Sequence, residues 1–444
     1  MSSTRTYETY YLRTFGCQMN EHDSERIAGL LAGMGLRPVD GPQRGDVLVY
    51  NTCSIREKAD TRLTGHLGEA RRLKAEDRRR LVIVAGCLAQ SRQEGFFQQF
   101  PFVDVLVGPQ SLHELPLLIE ERLETGRHAG SFQRRTTVWS ADLPRVRRTG
   151  PSAWVQIMTG CSNYCTYCIV PHVRGPEASR PAADIAREVR ELAAAGVREV
   201  TLLGQNVNAY GREPGFAGAE DFPALLEALA DVSGIERIRF MTSHPKDVSP
   251  RLLEAMAELA PVCEHLHLPL QSGSDRILAA MRRRYDRATY LDLVGRLRSR
   301  LPGLALTTDI IVGFPSETEA DFADTLSLLE EVGHDGAFTF IYSPRRGTKA
   351  ASLPGQLPRE VTEERLARLV ALAQRLATDR NQKLVGTVEE ILVEGRSKND
   401  SSMVKGRTRT HKTVNVPGDF PPGELVQVLI RSASSTSLVG VAVP

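Results

Sequence analysis

The chain has no run of apolar residues approaching the roughly 18–20 that cross a bilayer. Its amino terminus, MSSTRTYETYYLRTFGC, carries no apolar signal core. The expectation is therefore a cytoplasmic protein with no membrane partner. Cysteine is scarce and odd in number, seven in 444 residues. That argues against a closed disulfide framework and for thiols that are reduced or bound to metal. Net charge is nearly absent, since 56 Lys and Arg face 54 Asp and Glu and leave +2. Overall charge thus selects no partner class, and only local charge can. Internal repeats and low-complexity tails are also missing.

What is present is alternation. Short apolar, β-rich runs alternate with helical patterns, the mark of parallel α/β architecture. Residues 7–124 hold TYYLRTFGC, HDSERIAGLLAGMG, DVLVYNTC and RLVIVAGC, which read as a small open α/β domain. Residues 125–150 are Arg-rich and weakly periodic, and read as a linker with Arg134, Arg135, Arg145, Arg147 and Arg148. Residues 151–380 repeat six strand–helix units. Six are too few for the eight of a closed barrel, so a partial (β/α)6 barrel is expected. Residues 383–444 lose the helical period and show short strands with Gly turns, as in a small antiparallel β-barrel.

Three of the seven cysteines crowd into GCSNYCTYC. Cys161, Cys165 and Cys168 form C-x3-C-x2-C just after the first strand of the second domain, where active sites of such folds are built. Three thiolates on one loop can hold three corners of an iron–sulfur cube and leave one iron open. A structural zinc knuckle is the competing reading, and it needs a fourth ligand such as His172. The motif and its place resemble the radical S-adenosylmethionine (SAM) enzymes. The resemblance implies that the open iron binds SAM, with no catalytic side chain beyond the cluster ligands. It places Tyr167 near the SAM adenine. It also makes Gly204 and Gln205 of LLGQN, and Gly313 of TTDIIVGFPSET, further SAM contacts.

Cys17, Cys53 and Cys87 each follow an apolar strand. Strand carboxyl ends share one edge of an open parallel sheet, so these three are expected to converge on a second cluster. Buried structural thiols are the alternative. Cys263 has no partner at ligand spacing and reads as structural, and His265 and His267 read as packing or hydrogen-bonding residues.

Paired three-cysteine groups narrow the resemblance to the methylthiotransferase family. FGCQMN, NTCSIREKA, LPLQSGSDRIL and YSPRRGTKAA are similar to its branch for isopentenylated adenosine in tRNA. Arg346 and Lys349 stand where the family often has Pro, and Ser316 where it often has Gly. The resemblance implies an auxiliary-cluster domain, a radical SAM domain and a carboxy-terminal TRAM RNA-binding barrel, with two 4Fe-4S clusters and SAM as cofactors. The implied reaction converts N6-isopentenyladenosine at tRNA position 37 to its 2-methylthio derivative. The implied partners are a tRNA anticodon stem-loop, a sulfur donor and a reducing donor such as flavodoxin or ferredoxin, and the protein is expected to be a monomer. Two alternatives stand beside this: methylthiolation of a ribosomal protein side chain, and a zinc-stabilised RNA-binding protein without catalysis. Arg396, Lys398, Lys405, Arg407, Arg409 and Lys412 are expected to bind an RNA backbone.

Overall fold

The structure is a computed structural model, and it describes residues 7–54, 57–135, 138–147, 150–218, 220–398 and 400–443. Arg148, one of the linker arginines, and Ile55 and Arg56 of NTCSIREKA lie outside the described residues. The chain divides into two compact units. One takes in the amino-terminal part together with Thr159–Asn163 and Cys168–Arg180, and the other takes in Gly150–Met158, Tyr164–Tyr167 and the remainder.

The first unit is built on a six-stranded sheet with every pairing parallel. Its centre is three adjacent strands: Thr9–Phe15, Val47–Thr52 and Leu81–Gly86. The latter two are buried along their whole length, as strands covered on both faces must be. Side chains alternate between the faces. Val47, Val49, Ile83 and Ala85 pack with Ile27 and Leu31 of helix Gln18–Gly33 and with Leu115 and Leu118 of helix Leu115–Thr125. Leu48, Tyr50, Val82 and Val84 pack with Leu63, Leu67 and Leu73 of helix Glu57–Glu76. The period-2 pleat thus divides one apolar run between two cores.

In the second unit six strands run in chain order and in parallel. Ser152–Gln156, Glu199–Leu203 and Arg237–Met241 form one ladder; His265–His267, Ala305–Val312 and Gly336–Ile341 form another. A parallel bridge from Ile238 to Val262 links them. This is the partial barrel expected from the six-unit count. Helix Ala182–Ala194 starts a continuous apolar layer around it through Ile185, Val189 and Leu192. Helix Arg359–Gln382 lays Leu369 and Leu372 against Ile310, Val312 and Phe322.

The carboxy-terminal strands Val388–Arg396, Met403–Thr408, Thr413–Pro417, Leu425–Ala433 and Leu438–Ala442 close into a barrel. Ile391, Val393, Val404, Val414, Val428 and Ile430 fill it. The pairings are antiparallel except that between Thr413–Pro417 and Leu438–Ala442, which is parallel and completes the closure.

Candidate functional site

Cys17, Cys53 and Cys87 follow the three central strands of the first sheet. The register aligns Phe15 with Thr52 and Thr52 with Gly86, so the three chain exits lie side by side on one sheet edge. The Cys53 amide donates to the Phe15 carbonyl at 2.9 Å. Gly86 sits at φ +94°, and a Cβ there would lie 2.5 Å from Asn51 Oδ1 and 2.6 Å from the Thr52 carbonyl oxygen. Only glycine fits so tight an exit.

The polar surroundings of these thiols escaped the sequence reading. Cys17 Sγ and Asn20 Oδ1 are 3.4 Å apart, Asn20 donates to Asn51 Oδ1 at 3.2 Å, and Asn51 donates to Ser24 Oγ at 2.9 Å. Arg174 donates to Asp23 at 2.8 Å in an ion pair that is almost wholly buried. Its backbone carbonyl accepts from Gln110 at 2.7 Å. A hydrogen bond with Cys53 holds the Cys17 thiol down to about 6, against its burial and with help from Arg174. Burial pushes the Cys87 thiol up, and the charge of Arg174 works against that. Burial also works to raise the Asp23 carboxyl, but Arg174 and His22 outweigh it and hold it below the usual range. Only FGCQMN hinted at any of this, by placing Asn20 one turn after Cys17.

The second cysteine group lies on the loop after Ser152–Gln156. In the first unit, Gly160 at φ +76° would bring a Cβ within 1.9 Å of the Pro176 carbonyl oxygen. The Cys161 amide donates to the Gly175 carbonyl at 3.1 Å, and Asn163 Nδ2 donates to Cys161 Sγ at 3.4 Å. Cys168 is half-buried. In the second unit Cys165 is buried with Arg283 Nη1 at 3.5 Å from its sulfur.

The proposed SAM contacts all lie in the second unit. Tyr167 packs with Ile277, Met281, Phe314, Tyr342 and Ala350, and its hydroxyl is 3.5 Å from Arg283 Nη1. Gly204 follows Glu199–Leu203, where a Cβ would meet Met158 Cγ at 2.5 Å. Half-buried Gln205 is next in the chain. Gly313 follows Ala305–Val312, and its amide donates to Glu317 Oε1 at 3.1 Å.

Three thiols in each group are the donor chemistry that iron–sulfur cubes take. None of the seven cysteines is in a disulfide. Among the described residues, no three His, Cys, Asp or Glu side chains converge to hold a single ion. A cube asks for less convergence, because each thiolate takes its own iron. Thr52 Oγ1 and Ser54 Oγ, flanking Cys53, are buried with no hydrogen-bond partner among the described residues. His172, the zinc candidate, is exposed.

Cys263 is buried and burial pushes its thiol up. His265 Nε2 and His267 Nδ1 meet Thr307 Oγ1 at 3.1 and 3.0 Å, as hydrogen-bonding side chains.

The basic segment of the small barrel differs from expectation. Arg396 pairs with Asp419, Lys405 and Arg407 with Glu394, Arg409 with Glu264, and Lys412 with Asp335, all at 2.8 or 2.9 Å. Five of the six cations expected on RNA phosphates are therefore engaged by carboxylates. Two of those carboxylates, Glu264 and Asp335, lie on the (β/α)6 barrel, so Arg409 and Lys412 dock the small barrel on the larger one. Of the linker arginines, Arg134 and Arg135 are exposed, and Arg145 and Arg147 are half-buried.

Family models match the radical SAM superfamily over residues 155–329, the uncharacterized protein family UPF0004 over 9–108, and the TRAM domain over 382–443. The tRNA-2-methylthio-N(6)-dimethylallyladenosine synthase of Moorella thermoacetica is 48% identical over 98% of this chain and 98% of its own. The chain belongs to this synthase family. Members from Caldicellulosiruptor saccharolyticus and Burkholderia thailandensis are each 47% identical, covering 98% and 97% of this chain and 92% and 96% of theirs. Among solved structures, the radical S-adenosylmethionine methyltransferase TsrM of Kitasatospora setae has a TM-score of 0.57 at 14% identity, over 78% of this chain and 74% of that one. The cobalamin-dependent radical enzyme OxsB has a TM-score of 0.51 at 14% identity, over 82% and 56%. These two share the fold of the synthase family. No helix of the described residues is long and apolar enough to cross a membrane.

Proposed function

We propose that the protein is a radical SAM methylthiotransferase that replaces the C2 hydrogen of isopentenylated adenosine in a tRNA anticodon loop with a methylthio group. That hydrogen is not acidic, so side-chain acid–base chemistry cannot remove it at neutral pH, and a cofactor must carry the step. The reading assigns one 4Fe-4S cluster and SAM to Cys161, Cys165 and Cys168, with Tyr167, Gly204, Gln205 and Gly313 around the SAM. It assigns the second cluster to Cys17, Cys53 and Cys87. When bound, the first cluster and SAM supply a carbon radical and the second supplies sulfur, while another SAM supplies the methyl group. The chain's own part is to hold each thiolate set, to countercharge it with Arg174 or Arg283, and to leave each set one ligand short.

The observation that carries this reading is the alignment of Cys17, Cys53 and Cys87 on three adjacent strand ends. The functional domains are proposed at 7–124, 151–380 and 383–444, joined by the 125–150 linker. A cytoplasmic monomer served by a flavodoxin- or ferredoxin-type reductant and a separate sulfur donor completes the proposal.

The test uses anaerobically reconstituted protein, SAM, dithionite and an isopentenylated anticodon stem-loop RNA. Nucleosides are then analysed by mass spectrometry. The 2-methylthio nucleoside is expected from wild type and not from Cys161→Ala, Cys165→Ala or Cys168→Ala, which should also release no 5′-deoxyadenosine. Absence of product from iron-replete wild type, or 5′-deoxyadenosine from any of the three variants, overturns the reading.

A further inference from the structure

If the cations of the 396–412 segment are engaged elsewhere, an RNA substrate must find its positive surface in another place. Four exposed cations in the second unit, Arg282, Arg284, Arg346 and Lys349, make no ion pair and no side-chain hydrogen bond among the described residues. They lie on two loops. One follows helix Asp275–Ala280, and the other follows strand Gly336–Ile341.

A single residue pins both loops. The Thr166 amide donates to the Met281 carbonyl at 3.1 Å, its hydroxyl donates to the Ala280 carbonyl at 2.9 Å, and the Ala350 amide donates to the Thr166 carbonyl at 2.8 Å. Arg282 and Lys349 are the chain neighbours of those two anchors. Thr166 itself lies between Cys165 and Cys168. The unpaired cations therefore flank the loop that carries the C-x3-C-x2-C motif.

The backbone is shaped for this display. Arg282 and Arg284 have φ of +60° and +58°, and Arg283 between them turns inward to Cys165. Long side chains rarely take that conformation, which costs on the order of 1 kcal/mol each. The result is two arginines held outward on either side of a buried one. Tyr164, also left-handed at φ +50°, is 50% exposed on the motif loop itself. An exposed aromatic on a loop to which two cation-bearing segments are pinned suits single-stranded RNA, since unstacked bases stack on aromatic rings while cations follow the phosphates.

We infer that Tyr164, Arg282, Arg284, Arg346 and Lys349 form the surface that receives the anticodon loop, with Tyr164 stacking a base next to the reacting adenosine and the four cations pairing with phosphates. This rests on the tRNA reading above and gives that reading a footprint. Two of the four cations, Arg346 and Lys349, are also where this chain departs from the family pattern. The footprint is thus partly the chain's own.

The test is fluorescence anisotropy of a labelled, isopentenylated 17-nucleotide anticodon stem-loop on the full-length protein, across a series of salt concentrations. The rim variant is Arg282→Asn/Arg284→Asn/Arg346→Gln/Lys349→Gln, since asparagine tolerates a positive φ. It should bind at least tenfold more weakly. For every phosphate that is no longer neutralised, the slope of log K against log salt should flatten by about 0.7. Tyr164→Ala should weaken binding several-fold with an unchanged slope, because stacking releases no counterions. Arg190→Gln, an exposed helix arginine, is the charge control and should bind like wild type. Thermal melting identifies any variant that fails to fold, and Arg346→Gln/Lys349→Gln, free of positive-φ positions, then serves in place of the full set. If wild type does not bind the RNA, the tRNA reading itself falls. If wild type binds and the folded rim variants match it in affinity and slope, the footprint is overturned while the tRNA reading stands.

Discussion

Arg283 pairs with no carboxylate among the described residues. It is buried and donates to the Pro269 carbonyl at 2.9 Å and to the Tyr285 hydroxyl at 2.9 Å, with Cys165 Sγ and Tyr167 Oη at 3.5 Å. Burial alone would discharge it, yet Tyr285, Tyr167 and Cys165 outweigh that and keep it charged. A lone buried ion costs several kcal/mol unless an anion sits beside it, and the sulfur of Cys165, anionic when it holds an iron, lies within reach. Arg174 differs because Asp23 already pairs with it. A fixed positive charge beside a thiolate cluster favours its more negative, reduced form. Arg283→Gln should therefore shift the reduction potential of the cluster proposed at Cys161, Cys165 and Cys168 to a more negative value. The measurement is a redox titration followed by electron paramagnetic resonance, in a Cys17→Ala/Cys53→Ala/Cys87→Ala background that isolates this cluster. An unchanged potential would mean that Arg283 only packs. Neither arginine was legible in the sequence. Arg283 is one of three consecutive arginines, and nothing local tells which turns inward. Arg174 lies 151 residues from Asp23.

At the scale of elements, the strands were legible and the use of their charges was not. Apolar runs such as 47–50 and 81–86 specify buried parallel strands whatever surrounds them, and a cysteine within three residues of each is visible in the sequence. The 396–412 stretch reads as a basic surface because its acids are remote. Glu264 is 145 residues from Arg409, and Asp335 is 77 from Lys412. Arg409 makes a two-pronged pair with Glu264 at 2.8 Å and also donates to the Ala260 and Val262 carbonyls at 2.9 and 2.8 Å. Arg239 donates in return to the Arg409 and Thr408 carbonyls at 2.7 and 2.6 Å. Arg409→Ala would leave Glu264 and two carbonyls without this partner, at a cost of about 2 kcal/mol. The expected outcome is looser docking of the small barrel. Limited proteolysis should cut faster within residues 383–387, and the thermal midpoint should fall by a few degrees, while tRNA affinity at a temperature where the protein is folded stays within a factor of two. A large loss of affinity with unchanged proteolysis would return Arg409 to the RNA surface.

The second unit as a whole carries a pH dependence set by its buried histidines. His334 is held down to about 3 by burial and by Arg298 and Arg380. His411 is held down to about 2 by burial and Arg407. Burial holds His265 and His244 down as well, helped by His411 and Arg283 respectively. All four are neutral in the fold. In the unfolded chain a histidine takes up its proton near pH 6.5. Between that value and the lowered folded values the unfolded state binds more protons, so stability falls as pH falls. Above about pH 7 both states are neutral and these groups contribute no slope. Each can cost at most about 1.4 kcal/mol per pH unit below the unfolded value, roughly 2 kcal/mol at pH 5. His411 gives the cleanest test. It stacks on His265 with ring centroids 4.7 Å apart, in the turn between Met403–Thr408 and Thr413–Pro417, at φ +66°. His411→Asn removes a titrating ring and keeps a residue that accepts a positive φ. It also relieves His265 of a neighbour that can charge. The variant should lose some stability at pH 7.5, where only packing is removed. Its thermal midpoint should then fall less than that of wild type between pH 7.5 and pH 5, because one fewer proton separates the two states. Calorimetry at the two pH values gives four midpoints. An equal fall in both proteins would mean that His411 is already protonated in the folded barrel, and that the stacked histidine pair is not kept neutral by its burial.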